Sequence, residues 1–374
     1  MKYGILFVIF VAALIGAYWY MAREAQPDVS EPVATASSTE PSASSAPAVE
    51  VVARDLEIPW DIAFLPSGGM LVTERTGHVI FIDQAGTKKE IPIEGVSKKG
   101  EGGLLGMVLH PNFSQNSFLY LYMSSPGGEG ETQNRVVRYR YENGELHEDK
   151  VIITGIPGAI YHDGGRMEFG PDGYLYITTG DATRPNIAQD KTSLGGKTLR
   201  LKDDGATPED NPFGTRVWSY GHRNAQGIAW DNAGRMWQTE HGRSGVTTGM
   251  DEINLVVRGG NYGWPTIEGD QTKEGLINPV KHSGASDTWA PASLVYLNGS
   301  LFFGGLRGTA LYQAVLDGER VALLKEHFKG VYGRIRTVRV GPDGMLYITT
   351  SNRDDRGEPK TGDDKIIRID PKQL

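Results

Sequence analysis

The chain has 374 residues, a formal net charge of −8 and no cysteine. Disulfides and thiolate metal sites are thereby excluded. The acidic balance, without a basic stripe, argues against a nucleic-acid partner.

In chain order, Lys2 is followed by an uncharged apolar run from Tyr3 to Met21, 19 residues long, close to the roughly 20 needed to span a bilayer. Tyr18, Trp19 and Tyr20 stand at its outer end, where amphipathic rings favour the membrane interface. No small-x-small cleavage site follows, and no cysteine offers a lipid anchor. Residues 1–23 read as a signal anchor or a signal peptide, and either exports the rest of the chain. Residues 24–48 are rich in Ser, Ala, Pro, Thr and Glu, a composition that cannot bury enough apolar surface to order itself, and read as a disordered linker. Residues 49–374 remain as one domain. It is expected on the periplasmic or extracellular side, tethered by residues 3–21 and touching the membrane only there, or secreted if the segment is cleaved.

Within that domain one motif recurs six times. The stretch YHDGGRMEFGPDGYLYITTGDA from Tyr161 predicts a short strand from Gly165 to Phe169, a Pro-Asp-Gly turn, and a second strand from Tyr174 to Thr178. Pro presets φ for the first turn position and Gly tolerates φ > 0, so this is a hairpin signal. Equivalent turns lie at Pro66, Pro111, Pro171, Asn232, Asn298 and Pro342, at intervals of 45, 60, 61, 66 and 44 residues. Further strand-like runs follow several copies, among them HVIFID, KTLRLKDDG and KIIRIDP. Repeats of about 40 to 50 residues with insertions predict an all-β, six-bladed β-propeller.

In a propeller the residues just ahead of each inner strand converge on the axis. They are Trp60 and Asp61; Glu101 with Gly102 and Gly103; Tyr161, His162 and Asp163; His222 to Asn224 with Gln226; Trp289 and Pro291; and Arg334 with Arg336. Arginines here suggest an anionic ligand, because a guanidinium matches carboxylate or phosphate geometry. The alternative is that these groups merely tie the blades together. A second constellation, EHGRSGVTTGMDEINLVVRGGNYGWP from Glu240 to Pro265, mixes glycines with oxygen donors, as a hard cation such as Ca²⁺ requires. A zinc site from His162, His222 and His241 is possible by count, but no HxxxH spacing supports it.

GEGGLLGMVLHPNF, YHDGGRMEFGPDGYLYITTGD, LGGKTLRLKDDG, SYGHRNAQGIAWD, DEINLVVRGGNYGWP and RIRTVRVGPDGMLYITT, in that order from about Val51 to Asp370, resemble the soluble glucose/sorbosone dehydrogenase family, and most of all its periplasmic aldose sugar dehydrogenases. The resemblance implies a six-bladed propeller that uses pyrroloquinoline quinone (PQQ) and Ca²⁺ to oxidise a sugar, passing electrons to an external quinone or cytochrome. It implies that His162 takes the proton of the anomeric hydroxyl, and that Arg223 and Asn224 polarise or bond the quinone oxygens. Arg334 and Arg336 would hold the cofactor's carboxylates. The backbone of Gly242 and Arg243 would bind the cofactor's Ca²⁺, and Glu252 with Tyr262 a structural one. Three positions depart from the family pattern. Glu101 stands where a quinone-contacting glutamine is usual, and such a carboxylate repels the cofactor unless protonated or turned away. Arg307 stands for a common lysine, and Arg243 for a frequent proline. A calcium-dependent propeller hydrolase, with His162 as base and Glu252 as metal ligand, would act without quinone; a non-catalytic binding module would not turn over at all. The stretch from Thr266 to Thr288 is expected to rim the pocket and select the substrate.

Overall fold

The computed structural model describes residues 48–243 and 249–374. Each repeated turn closes a hairpin whose geometry follows from its chemistry. In the two Pro-Asp-Gly copies the aspartate accepts the main-chain N–H two residues on, Asp172 from Tyr174 at 3.2 Å and Asp343 from Met345 at 3.1 Å, the local bond that makes Asp a turn former. All six copies become the inner hairpins of six four-stranded antiparallel sheets. Their innermost strands are Pro59–Phe64, Leu104–Leu109, Met167–Phe169, Ala225–Trp230, Pro291–Leu297 and Ile335–Val340, and the blades are numbered one to six in that order. The expected strands of the third copy shorten to Met167–Phe169 and Leu175–Thr178. Gly164 and Gly165, at φ +67° and +105°, leave extended geometry before the ladder begins.

The sequence does not announce how the ring closes. Val49–Ala53 pairs antiparallel with Ile366–Ile369, Val49 opposite Ile369 and Val51 opposite Ile367. The start of the domain thus supplies the outer strand of blade six, whose other three strands come from its end. Just ahead of that strand, the Ala48 carbonyl accepts the Asp370 N–H at 2.9 Å. Residues 1–23 and the linker up to residue 47 lie outside the described residues, among which no helix is long and apolar enough to cross a membrane.

The core is distributed between blades. An apolar cluster fills each junction, for example Leu175, Leu199 and Leu201 of blade three against Tyr120 and Tyr122 of blade two, and Val72 and Ile80 of blade one against Ile366 of blade six. Sheets covered on both faces explain the uninterrupted burial of Lys197–Leu201, where a half-exposed sheet would alternate.

At the axis the device is ionic. Asp61, fully buried on the first inner strand, pairs with Arg166 of blade three at 2.5 Å and accepts two 3.0 Å bonds from Arg339 of blade six. It also accepts the Met107 N–H of blade two, while Arg166 donates to the Gln226 carbonyl of blade four. Burial alone raises the Asp61 carboxyl, but Arg166 and Arg339 overrule it and hold it below its ordinary 3.8. Its contribution is therefore fully present above pH 3.8 and lost as pH falls through the still lower folded value. Asp61→Ala should cost about 3 to 5 kcal/mol, because two guanidiniums then lie buried around an empty place. Chemical denaturation of the variant beside the parent measures it; a loss below about 1 kcal/mol would contradict the assignment.

Candidate functional site

Where the inner strands begin, the axis opens into a cavity of about 890 Å³. Trp60, Glu101, Tyr161, His162, Asp163, Arg223, Asn224, Gln226, Arg334 and Arg336 all line it, as propeller topology predicts. Six residues expected on the same ring do not: Gly102 and Gly103, and four whose side chains are engaged elsewhere. Asp61 belongs to the ionic axis. His222 is buried between Ser219 and Glu240 and stacks on Tyr262 at 4.7 Å. Trp289 packs with Phe303 and Tyr312 in the blade four–five core, and Pro291 is buried at the head of its strand.

His162 is the most tightly specified side chain at this cavity. Its backbone is left-handed, φ +65°, an uncommon state for a residue with a Cβ. The turn is held from both sides: Glu101 Oε2 accepts the His162 N–H at 3.2 Å, and the His162 carbonyl accepts the Ala182 N–H at 3.2 Å. Beneath it lies Gly180, where a Cβ would meet the His162 carbonyl at 1.8 Å, so only glycine fits. The ring's Nδ1 donates to Asp181 Oδ1 at 2.7 Å. Asp181, wholly buried, also accepts from the Thr183 N–H at 2.8 Å and, on Oδ2, from Trp264 Nε1 at 2.8 Å. A carboxylate so fixed places the imidazole proton on Nδ1 and leaves Nε2 a lone pair, the arrangement a general base needs. Sequence reading missed Asp181, although it lies in the most prominent repeat; a second acid on the same hairpin was the available signal. The NYGWP turn, expected to serve an ion, contributes Trp264 to this buttress.

A guanidinium cluster lines the same cavity. Asp354 Oδ2 accepts from Arg334 at 3.0 and 2.8 Å and lies 3.7 Å from Arg336 Nη2. Burial, opposed by Asp354 and reinforced by Arg75 and Arg334, weakens the hold of Arg336 on its proton. Arg75 is 3% exposed, lines the same cavity, and its Nε has no partner. Asp354 thus faces several buried cations, with Asp163 and Asp251 the other buried acids of the lining. Arg75, Asp354 and Arg356 were not foreseen, since the first lies just past a strand end and the other two in one blade-six loop. Arg307 lines the cavity from its exposed rim. Arg223 is 5% exposed, donates to the His241 carbonyl at 3.3 Å and lies over the Trp264 ring at 5.4 Å. Asn224 Oδ1 accepts the Gly164 N–H at 3.0 Å, while its buried Nδ2 has no partner. His241 also reaches the cavity with its Nε2 unpartnered; burial pushes its pKa down to about 4, so it is neutral.

The expected metal residues fall into two places. Gly242 and Arg243 are at the cavity wall, with residues 244–248 beyond them outside the described residues. The Gly242 N–H donates to Asp251 Oδ1, and a Cβ there would meet the carbonyl oxygens of Met250 at 2.1 Å and Gly249 at 2.3 Å. Arg243 pairs with Glu268. Glu252 and Tyr262 share a small adjoining cavity with Glu240 and Glu268. Burial, and then the charge of Glu240, raises the Glu252 carboxyl, and Asn254 Oδ1 nearby is buried without a partner. The Tyr262 hydroxyl is occupied elsewhere, donating to Leu255 O at 2.6 Å and accepting from Val257 N at 2.9 Å. Among the described residues no three His, Asp or Glu side chains gather closely enough to hold a metal by themselves. The stretch 266–288 does not rim the pocket as expected: of it only Thr288 lines the cavity, and Lys281–His282 forms the outer strand of blade four. Tyr161, Asp355 and Arg356 stand at the cavity's exposed edge.

Fold and site together define a six-bladed propeller whose axial cavity sets a carboxylate-oriented histidine against a cluster of arginines. The model of the family "Glucose / Sorbosone dehydrogenase" matches residues 56–358, and the chain belongs to that family. It is similar to the aldose sugar dehydrogenase YliI of Escherichia coli K12, 35% identical over 340 residues, which cover 81% of this chain and 89% of that protein. It is 32% identical over 261 residues to quinoprotein glucose dehydrogenase B of Acinetobacter calcoaceticus, covering 60% of this chain and 54% of that one. The PQQ-bound aldose sugar dehydrogenase structure from Streptomyces coelicolor superposes with a TM-score of 0.80 at 40% identity, covering 86% of this chain and 98% of that one.

Asp181→Asn should keep the fold but disturb the tautomer, since an amide can donate to Nδ1 and force the proton onto Nε2. A fall in kcat of roughly 10²- to 10⁴-fold is expected. Steady-state turnover of the folded variant within about threefold of the parent would contradict the role given to this pair.

Proposed function

We propose that the chain oxidises aldose sugars at the anomeric carbon to lactones, with PQQ as cofactor and an external quinone or cytochrome as the final acceptor. The observation that carries this reading is the presence, in one cavity, of the Asp181-oriented His162 and the under-neutralised arginine cluster. The residues present fit an anionic quinone. Arg334 and Arg336 offer charge beyond what Asp354 balances, and the unpartnered Asn224 Nδ2 is a buried donor awaiting an acceptor, costly to leave unmade. Arg334 and Arg336 would hold the carboxylates, with Arg307 a further cation at the rim; Arg223 and Asn224 would face the quinone oxygens. When bound, PQQ supplies a two-electron acceptor for hydride.

His162 would take the hydroxyl proton of the sugar through Nε2, and Asp181 would stabilise the imidazolium so formed. Arg223, held by the His241 carbonyl and Trp264, would fix the orientation of the oxygen that gains charge. Ca²⁺ suits both metal places by its donor chemistry. Around Gly242 the crowding oxygens are carbonyls, and around Glu252 they are carboxylates with one free amide oxygen; hard cations take such sets. Localisation on the periplasmic or extracellular side, with residues 1–23 as anchor or signal and 24–48 as tether, completes the proposal.

Addition of PQQ and Ca²⁺ to purified apo-protein should yield a quinone absorbance band and dye reduction by aldoses. Activity without quinone would favour a hydrolase, and binding without turnover a sugar-binding module. Removing Ca²⁺ with a chelator should lower both turnover and melting temperature, because a cation bound only to the folded state stabilises it by mass action. An apo-protein with verified metal content, whose melting temperature a chelator leaves unmoved, would count against the structural site.

A further inference from the structure

Glu101 is an acid in the cavity proposed above to take an anionic cofactor, and the structure shows how its charge is handled. Glu101 Oε1 accepts from Arg356 Nη1 at 2.6 Å, while Oε2 accepts the His162 N–H at 3.2 Å. Arg356 comes from a blade-six loop 255 residues away, and its guanidinium lies 5.2 Å from the centre of the Tyr161 ring. The two side chains are 23% and 52% exposed, so the pair lies at the cavity's edge, with Glu101 the deeper member. Burial would raise the Glu101 carboxyl, but Arg356 first, and then the His162 N–H, hold it below the ordinary range. The carboxylate is therefore ionised, and it points at Arg356 and the His162 turn. Arg75 and Asp163 also face this cluster.

We propose that Arg356 is a positioning residue that neutralises Glu101 so that the cavity accepts an anionic cofactor, and that Glu101, once paired, holds the left-handed turn that presents His162. This rests on the PQQ reading above. Each half follows from one oxygen of the same carboxylate. Removing Arg356 leaves an uncompensated negative charge in the cavity that would take the cofactor. Removing Glu101 entirely releases the His162 N–H, whereas a glutamine keeps an acceptor there and carries no charge.

The test is a double-mutant cycle read as PQQ affinity, by quenching of tryptophan fluorescence, since Trp60 lines the cavity. Arg356→Ala should weaken PQQ binding about tenfold, a figure that allows for the pair's partial exposure. Adding Glu101→Gln to that variant should restore affinity to within about threefold of the parent, as expected of coupled neighbours. Arg356→Gln serves if the alanine variant does not fold. At saturating PQQ, Glu101→Ala should lower kcat more than Glu101→Gln, because only the former loses the acceptor for His162. An Arg356→Ala variant that binds as tightly as the parent overturns the inference, as does a double variant as weak as the single one, which would mean that Arg356 meets the cofactor directly. Equal kcat for the two Glu101 variants overturns the positioning half. A parent protein that takes up no PQQ in the same titration sinks the dehydrogenase reading and this inference with it, and is thereby distinguishable from failure of the inference alone.

Discussion

Six sheets arranged around an axis have no covalent reason to stay in a ring, and their inner ends must share a narrow space. Here the constraint is met by one buried carboxylate. Asp61 gathers Arg166 and Arg339 from blades three and six and the Met107 N–H from blade two. Buried ion pairs of this kind are weak contributors to net stability, but breaking one is severe. Its value is register: the paired ends of the blades have one arrangement in which every charge is matched. The outer strand Val49–Ala53 does the complementary job at the perimeter by completing blade six from the other end of the domain.

The same physics, inverted, makes the site. At the axis each buried cation has its anion; in the cavity above it the balance fails. Arg75, Arg334 and Arg336 share the buried acid Asp354, while Glu101 is engaged by Arg356. A cavity left positive by its own side chains favours an anion that brings charge with it. In the same cavity, His162 is held by main-chain bonds, by the close approach of Gly180 and by Asp181, so that the base is fixed before any ligand arrives. Preorganisation of this sort removes the reorganisation cost from the reaction step.

Much of this was legible in the sequence because propellers are repetitive. The six turns fell where the six inner hairpins are, and topology alone brought His162, Arg223, Asn224, Glu101, Arg334 and Arg336 to one cavity. What was not legible depended on partners that periodicity does not encode. Val49–Ala53 is a five-residue run with no turn to mark it, and its partner is at the far end of the chain. Asp181 sat in plain view, yet its role required knowing that the hairpin folds its end back beneath His162. His222 and Trp289 had the correct position in the repeat, but the first was drawn to Glu240 and Ser219 and the second into the core. The stretch 266–288 misled by its length, since it runs in loops to the two-residue outer strand of blade four and only Thr288 reaches the cavity. Glu101 was expected to repel the cofactor unless protonated or turned away, and the guanidinium that pairs with it, 255 residues distant, could not be foreseen.

The central claim is that in one cavity the arginines bind and His162 reacts. It is tested most directly by comparing His162→Ala with Arg336→Ala while PQQ is raised to saturation. Loss of the base should reduce kcat by roughly 10²- to 10⁴-fold with little change in cofactor affinity. Loss of a charge-assisted contact should weaken PQQ binding by about 10- to 150-fold. Excess PQQ should then restore much of the Arg336→Ala activity and none of the His162→Ala activity; equal rescue of both variants would make His162 a binding residue and contradict the account.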